Sequence, residues 1–467
     1  MNETSTKIRW SQLLLLCLPT LSILLSTNIV MAALADINQA FPSIKGLGGW
    51  TLLLYSTTAA SLSIAAGELG DRFGLRKMYG QGLIVFIIGA ILSSIAISGP
   101  MLLAGRVVSG IGAAVLAPVA LAFMSRLYSG DAKPIAFGYW ATSVTVGTVS
   151  GPILGGWIQS LSNWRWTFPV AALPALLGLI LINQLPILTQ NKKNNQPVDY
   201  LGITGLSILP ALTLITLTLS SRLSASILIA LSVIIVGVAV FTWHHLQHTS
   251  EPAIPLFRLR AAAWWRPTLL QLIIRIIFMA TLVMLTSYFQ GIQELSEFNA
   301  SRDLLPFCIA VGIMSFSSGY LCKSIGVKRL LNTLFLTSLA GAATLFSLSV
   351  QGLRPIDWIA IVTIGLLAGG TSQLSRLALG NFPAEESMKG ASLNTLVINL
   401  GLAFGAAYPS MMHGFISKEF HLVGNISNQD LLLIMRSEIA LLLALFAIGA
   451  WQSFKISEAK INILPRQ

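Results

Sequence analysis

Gly67-Glu68-Leu69-Gly70-Asp71-Arg72-Phe73-Gly74-Leu75-Arg76-Lys77 separates two long apolar runs. Gly319-Tyr320-Leu321-Cys322-Lys323-Ser324-Ile325-Gly326-Val327-Lys328-Arg329 separates two others. Gly67, Leu69, Gly74 and the basic pair Arg76-Lys77 recur 252 positions later as Gly319, Leu321, Gly326 and Lys328-Arg329. A loop repeated in register between hydrophobic runs marks two related halves. Repeated halves that rock against each other are the architecture of secondary transporters.

A soluble chain carries charge on roughly a quarter of its residues. Here 10% of 467 residues are charged and 54% are hydrophobic, with mean hydropathy +0.77. The solvent for such a surface is lipid, where backbone polar groups must be paired within the span. The apolar runs are continuous over about 20 residues, which fits helices and not the alternating strands of a barrel. The net charge of +12 would suggest nucleic acid in a soluble protein. In a membrane protein the positive-inside rule accounts for it, and no nucleic-acid partner is expected. Cys17, Cys308 and Cys322 lie in or beside apolar runs and suggest neither a disulfide framework nor a metal site. Lys7, Arg9 and Ala33-Leu34-Ala35 mimic a signal peptide. The run Leu13 to Ala35 is too long for one and reads as an uncleaved first helix.

Fourteen spans are expected, near 13–35, 49–69, 80–98, 101–124, 135–159, 167–187, 200–220, 224–244, 267–290, 303–322, 330–350, 357–380, 391–415 and 431–453. With the N-terminus inside, nineteen of the 29 basic residues fall in cytoplasmic segments and six in outer ones. That bias predicts an even helix number with both termini cytoplasmic; the membrane expected is the cell inner membrane. Arg106, Arg275, Arg376 and Arg436 remain within spans. The repeated loops follow spans two and ten, so eight spans separate them where a six-plus-six chain would have six. The expected division is a six-helix bundle over 1–190, two inserted helices over 191–250 and a second six-helix bundle over 251–467.

Four stretches carry chemistry. The first loop combines glycines for a tight turn with charges at helix ends, and Asp71 suits a switching ion pair or a helix N-terminus. Arg106-Val107-Val108-Ser109-Gly110-Ile111-Gly112-Ala113-Ala114 sets an arginine inside a span, where a charge costs about 3 kcal/mol. In Gly147-Thr148-Val149-Ser150-Gly151-Pro152-Ile153-Leu154-Gly155-Gly156, small residues permit close helix packing and Pro152 a bend. Asn163-Trp164-Arg165-Trp166-Thr167-Phe168 sets tryptophans at an interface.

In this order, the four stretches resemble the signatures of the major facilitator superfamily, and within it the fourteen-helix drug:proton antiporters. The resemblance implies an all-α integral membrane fold of two six-helix bundles plus two additional central helices, working by alternating access. It implies a conformational lock on Gly67, Asp71, Arg72, Gly74, Arg76 and Lys77. Because Lys323 replaces Asp71 in the second copy, the lock is expected at the first copy alone. It implies an antiporter motif on Gly147, Gly151, Pro152, Gly155 and Gly156. It further implies a small-molecule substrate and a proton gradient in place of any cofactor, with room for a periplasmic adaptor or outer-membrane channel.

Members of that family often carry an aspartate in the first helix. Ser26 stands in its place here, and Ala35 where a proline would be. Replacement acids are scarce. Glu438 is expected to pair with Arg436 or lie near the interface, and His413 could titrate near neutral pH. The spans hold arginine instead: Arg106, Arg275 and Arg376 would make a cavity positive. Guanidinium groups bind carboxylate or phosphate bidentately, which points to an anionic or zwitterionic substrate such as a siderophore. Asn28, Tyr139, Gln271, Tyr288, Gln290 and Asn399 are candidate cavity residues. No P-loop is present to use ATP, and no soluble catalytic domain has room to exist. The function expected is proton-coupled export. The alternatives are an anion importer or exchanger without proton antiport, and a non-transporting membrane sensor on the same fold.

Overall fold

The computed structural model describes residues 8–456 apart from 45, 189–197, 220–222, 250–251, 255, 296, 347, 350–351 and 420–427. The chain termini, on which the topology expectation partly rests, lie outside the described residues. Fourteen long helices are present among the described ones: α1 Trp10–Asn28, α2 Leu47–Phe73, α3 Leu75–Ser94, α4 Gly99–Leu127, α5 Ala132–Leu161, α6 Thr167–Ile180, α7 Tyr200–Leu219, α8 Ala225–His248, α9 Ala262–Ser287, α10 Leu305–Ile325, α11 Val327–Leu345, α12 Pro355–Gly369, α13 Ser387–Glu419 and α14 Asn428–Phe454. Among the described residues β structure is confined to isolated bridging, as between Ser349 and Gly352. Eleven helical stretches are long and apolar enough to cross a membrane, and Trp164–Ile180 is a shorter apolar one. The 30-residue α5 and the 19-residue α11 complete the set. The chain is an all-α integral membrane protein.

The repeated stretch is less of a loop than its sequence suggests. Gly67 to Phe73 continues α2, and α3 begins at Leu75, so Gly74 is the whole joint. The second copy behaves alike, with Gly326 between α10 and α11. Gly74 has φ 90° and Gly326 φ 82°, a region closed to residues with a Cβ. Glycine at both positions thus lets two helices reverse direction in one residue.

The first helix of each half departs from a plain α-helix near its end. After α1 the chain tightens into a 3-10 turn over Ile29–Ala33, and Leu34–Ala40 follows. After α9 it widens into a π turn over Tyr288–Ile292.

The chain forms two compact units. The first comprises Met1–Ile215, Ile229–Arg260 and Leu379–Leu396. In it α4 packs on α3 and α2, and α1 on α5 and α6. The second comprises Thr216–Leu228, Ala261–Ala378 and Val397–Gln467. There α12 packs on α10 and α11, and α14 on α11 and α9. Helix four of the first half and its counterpart α12 thus share one packing pattern, the structural form of the sequence repeat.

Helix α8 is apolar all round and almost wholly exposed, with Ile229, Val233, Val236 and Val240 facing outward. Such a surface is stable only against lipid. Its end is tied to the start of α7 by Asp199. That carboxylate accepts from Gly202 N–H at 2.8 Å and Ala253 N–H at 3.0 Å, and lies 2.7 Å from His245 Nε2. Burial pushes the Asp199 carboxyl up, but the hydrogen bonds from His245, Ala253 and Gly202 outweigh it and hold the group below its usual range. A depressed folded pKa stabilises above the unfolded value and is lost as pH falls through the folded one. The tie therefore survives mild acid. Asp199→Ala should speed hydrogen exchange at Gly202 and Ala253 by about tenfold or more. Unchanged rates would mean that the α7–α8 hairpin holds without it.

Candidate functional site

Asp71 lies in the last turn of α2, and its partners come from far along the chain. Its Oδ1 accepts from Met388 N–H and its Oδ2 from Lys389 N–H, both at 3.1 Å. These are first-turn amides of α13, so a carboxylate sits on a helix N-terminus, where it complements the helix dipole. Arg126 of α4 approaches Oδ1 at 3.4 Å and donates to Ser387 Oγ at 2.6 Å. One turn back, Glu68 pairs with Arg72 at 2.9 Å and with Lys389 Nζ at 2.7 Å. Gly67 makes this approach possible, because a Cβ there would run into Ser392 and the Met388 carbonyl. Arg76 donates to Asn183, and Lys77 lies 5.4 Å over the Phe73 ring. Glu68 and Arg126 were absent from the sequence-derived site. Nothing in the sequence pairs them with residues more than 250 positions away.

Arg106 of α4 is 0% exposed. Its Nε donates to the Thr51 carbonyl at 3.1 Å, and its two terminal nitrogens to Ser26 Oγ at 2.8 Å and the Ser26 carbonyl at 3.3 Å. The guanidinium also lies 4.2 Å from the Tyr55 ring centre and 5.7 Å from that of Phe168. Every partner is neutral. The residue in the place of the family's aspartate is thus the one that holds the buried arginine, and it brings no charge.

In the second unit Gln271 and Arg275 lie one turn apart on α9. Arg275 donates to Thr371 Oγ1 at 3.0 Å, and Gln271 to Ser375 Oγ at 2.9 Å. Among the described residues, Arg275 Nε and Gln271 Oε1 are buried without a hydrogen-bond partner. Nearby in sequence, Arg376 donates to Gln373 Oε1 at 3.1 Å. This is a polar, positively charged cluster in a helical core.

Gly147, Gly151 and Gly155 form one face of α5 against α1. A Cβ at Gly147 would lie 2.7 Å from Leu24 Cβ, and one at Gly155 2.6 Å from the Ile29 carbonyl, where α1 tightens. Gly156 faces open space. Helix α13 has an equivalent face that the sequence reading did not single out. A Cβ at Gly401 would lie 2.6 Å from Arg275 Cβ, and one at Gly405 2.5 Å from the Ile276 carbonyl. Four-residue glycine spacing was the available signal.

The remaining candidates are dispersed. Asn28 donates to the Leu24 carbonyl of its own helix at 2.8 Å. Tyr139 meets Trp10 edge-on at 5.1 Å. Tyr288 donates to the Ser349 carbonyl at 2.8 Å. Gln290 is exposed and Asn399 half-buried. The side chains of Pro152 and His413 lie outside the described residues. Glu438 does not pair with Arg436: Glu438 is buried, while Arg436 is exposed and donates to the Leu348 carbonyl. Residues two apart on a helix face nearly opposite ways.

Residues 16–406 match the family model described as Major Facilitator Superfamily. The chain belongs to the Major Facilitator Superfamily. It is 27% identical over 401 residues to the drug efflux pump JefA of Mycobacterium tuberculosis, across 83% of this chain and 77% of that protein. It is 25% identical over 382 residues to the multidrug transporter protein MdtP of Bacillus subtilis, across 79% of this chain and 70% of that one. Among solved structures, the human organic anion transporter MFSD10 (TETRAN) superposes with TM-score 0.69 at 13% identity, covering 96% of this chain and 100% of that one. The proton:xylose symporter XylE gives TM-score 0.60 at 14% identity, over 93% of this chain and 94% of that one. The fold is that of the Major Facilitator Superfamily, and the protein is a multi-pass membrane transporter of small molecules.

Proposed function

We propose that this Major Facilitator Superfamily protein is a fourteen-helix, proton-coupled exporter of small organic anions or zwitterions. It would work by alternating access in the cytoplasmic membrane with both termini inside. The observation that carries the substrate class is Arg275, a buried guanidinium whose Nε has no partner, next to an unfilled Gln271 acceptor. A buried charge kept without a counter-ion suits a ligand that brings one. Arg106, held by neutral groups alone, adds a second positive charge. The relatives named as drug efflux pumps support the direction of transport, and a periplasmic adaptor or outer-membrane channel fits an exporter of this kind. Ser26 in place of the family's aspartate favours one alternative, anion exchange without proton antiport.

The test is flux into proteoliposomes with an imposed pH gradient, using fluorescein as the anionic probe and ethidium as the cationic one. Fluorescein should move faster as the gradient steepens, and Arg275→Ala should slow it by about tenfold, the loss of one charge-assisted hydrogen bond. Ethidium preference, or parent-like flux in both Arg275→Ala and Arg106→Ala, would sink the anion reading. Fluorescein flux indifferent to the gradient would leave exchange.

A further inference from the structure

Glu438 lies ten residues into α14 and is 4% exposed. The other acids buried or nearly buried among the described membrane helices all have cationic partners. Asp357 pairs with Arg354, Glu68 with Arg72 and Lys389, and Asp71 with Arg126. Among the described residues, no ion pair or hydrogen bond is made to the Glu438 carboxyl.

Two contacts set its level. Arg266 at the start of α9 donates to the Lys455 carbonyl beyond the end of α14, and Gly449 faces the Phe335 ring. Counting back along antiparallel helices places Glu438 level with about residue 283 of α9. From α13, Tyr408 donates to the Glu438 backbone carbonyl at 2.8 Å. Among the described residues, the charged groups on the packed elements lie elsewhere. On α9, Arg275 is about 12 Å below that level along the helix, and Arg266 is further still. On α11, Lys328 and Arg329 occupy the first turn, at the far end. The hydroxyl of Tyr288 is engaged by Ser349 and Gln293. Arg436 of α14 itself is on the exposed face. Close to the level of Glu438, the Thr281 hydroxyl of α9 is buried without a hydrogen-bond partner among the described residues.

An ionised carboxylate there would stand in a low-dielectric interior with no counter-charge among the described residues, whereas the neutral acid needs none. We propose that Glu438 is the proton-carrying carboxyl of this transporter, a role that Ser26 cannot fill. The inference rests on the proton-coupled reading above. The carboxylate takes a proton from water on one side of the membrane and returns it to water on the other, with no co-reactant.

Infrared difference spectra of the full-length protein in lipid, between acidic and alkaline buffer, test the assignment. The parent should show a buried carboxylic-acid stretch that shifts in deuterated buffer and is missing in Glu438→Gln. A band that persists in E438Q overturns the inference. Transport separates it from the wider reading. E438Q should lose all gradient-driven fluorescein flux yet keep fluorescein counterflow, because exchange needs no net proton movement. A variant that merely misfolded would lose both, and Glu438→Asp should then recover part of the driven flux. If the parent is gradient-driven and E438Q equally so, this inference alone fails. If the parent ignores the gradient, proton coupling fails and the role of Glu438 with it.

Discussion

Replacing Arg106 with alanine should lower fluorescein flux by about 100-fold and markedly destabilise the protein. The side chain is wholly buried and joins three helices, through Ser26 of α1, Thr51 and Tyr55 of α2 and Phe168 of α6. Truncation leaves a cavity and removes the guanidinium's hydrogen bonds to the Ser26 hydroxyl and to the Ser26 and Thr51 carbonyls. Large-to-small changes of this size cost about 3–5 kcal/mol, and each tenfold in an equilibrium is about 1.4 kcal/mol. Lysine is a weaker rescue than its charge suggests, since one ammonium cannot span Ser26 and Thr51 as a guanidinium does. Leucine separates fold from function. It removes the buried charge and fills most of the space, so thermal stability should recover further than flux does. Ser26→Asp is the complementary change. It sets a carboxylate against Arg106, and should reduce fluorescein transport relative to ethidium by cancelling the positive charge. Parent-like selectivity in S26D would show that Arg106 is a strut alone.

Asp71→Asn should open the contact of α2 with the first turn of α13. Asparagine keeps one acceptor but loses the charge, the second amide partner and the attraction of Arg126. Hydrogen bonds to charged groups contribute about 1.5–3 kcal/mol each. Losing the equivalent of one shifts the closed population by about tenfold to a hundredfold. The measurement is thiol labelling at Ser392→Cys, a buried position against Gly67, in a chain with Cys17, Cys308 and Cys322 changed to serine. A membrane-impermeant maleimide should label it at least about tenfold faster when Asp71 is replaced. Equal labelling would remove Asp71 from the lock. Exchanging the charges of the neighbouring pair, Glu68→Lys with Lys389→Glu, should restore slow labelling that either change alone accelerates.

The fourteen helices were legible because lipid imposes a length and an apolar surface on every span, and both are local properties of sequence. The one-residue joints were half legible. The repeated glycines announced a turn, but the charged residues before Gly74 looked like loop and proved to be the last turns of α2. Arg106 stood out because a charge inside an apolar run is conspicuous wherever it points. Its partner Ser26 stood out only as a missing acid. Of the two expectations for Glu438, pairing with Arg436 fails, because proximity along the chain hides that the two project from opposite faces. Gly401 and Gly405 passed unnoticed for want of a surrounding motif, although they pack α13 on α9 as Gly151 and Gly155 pack α5 on α1.

Composition, span length and the repeat at Gly74 and Gly326 determine by themselves that this chain is a two-fold repeated helical membrane protein. They do so because hydrophobic thickness and backbone pairing are read residue by residue. Tertiary structure alone decides which amides Asp71 holds, which neutral groups surround Arg106 and which acid has no cation among the described residues. Those outcomes depend on the direction in which a side chain leaves its helix and on the partner that meets it there. That partner is often hundreds of residues away, and no local pattern encodes it.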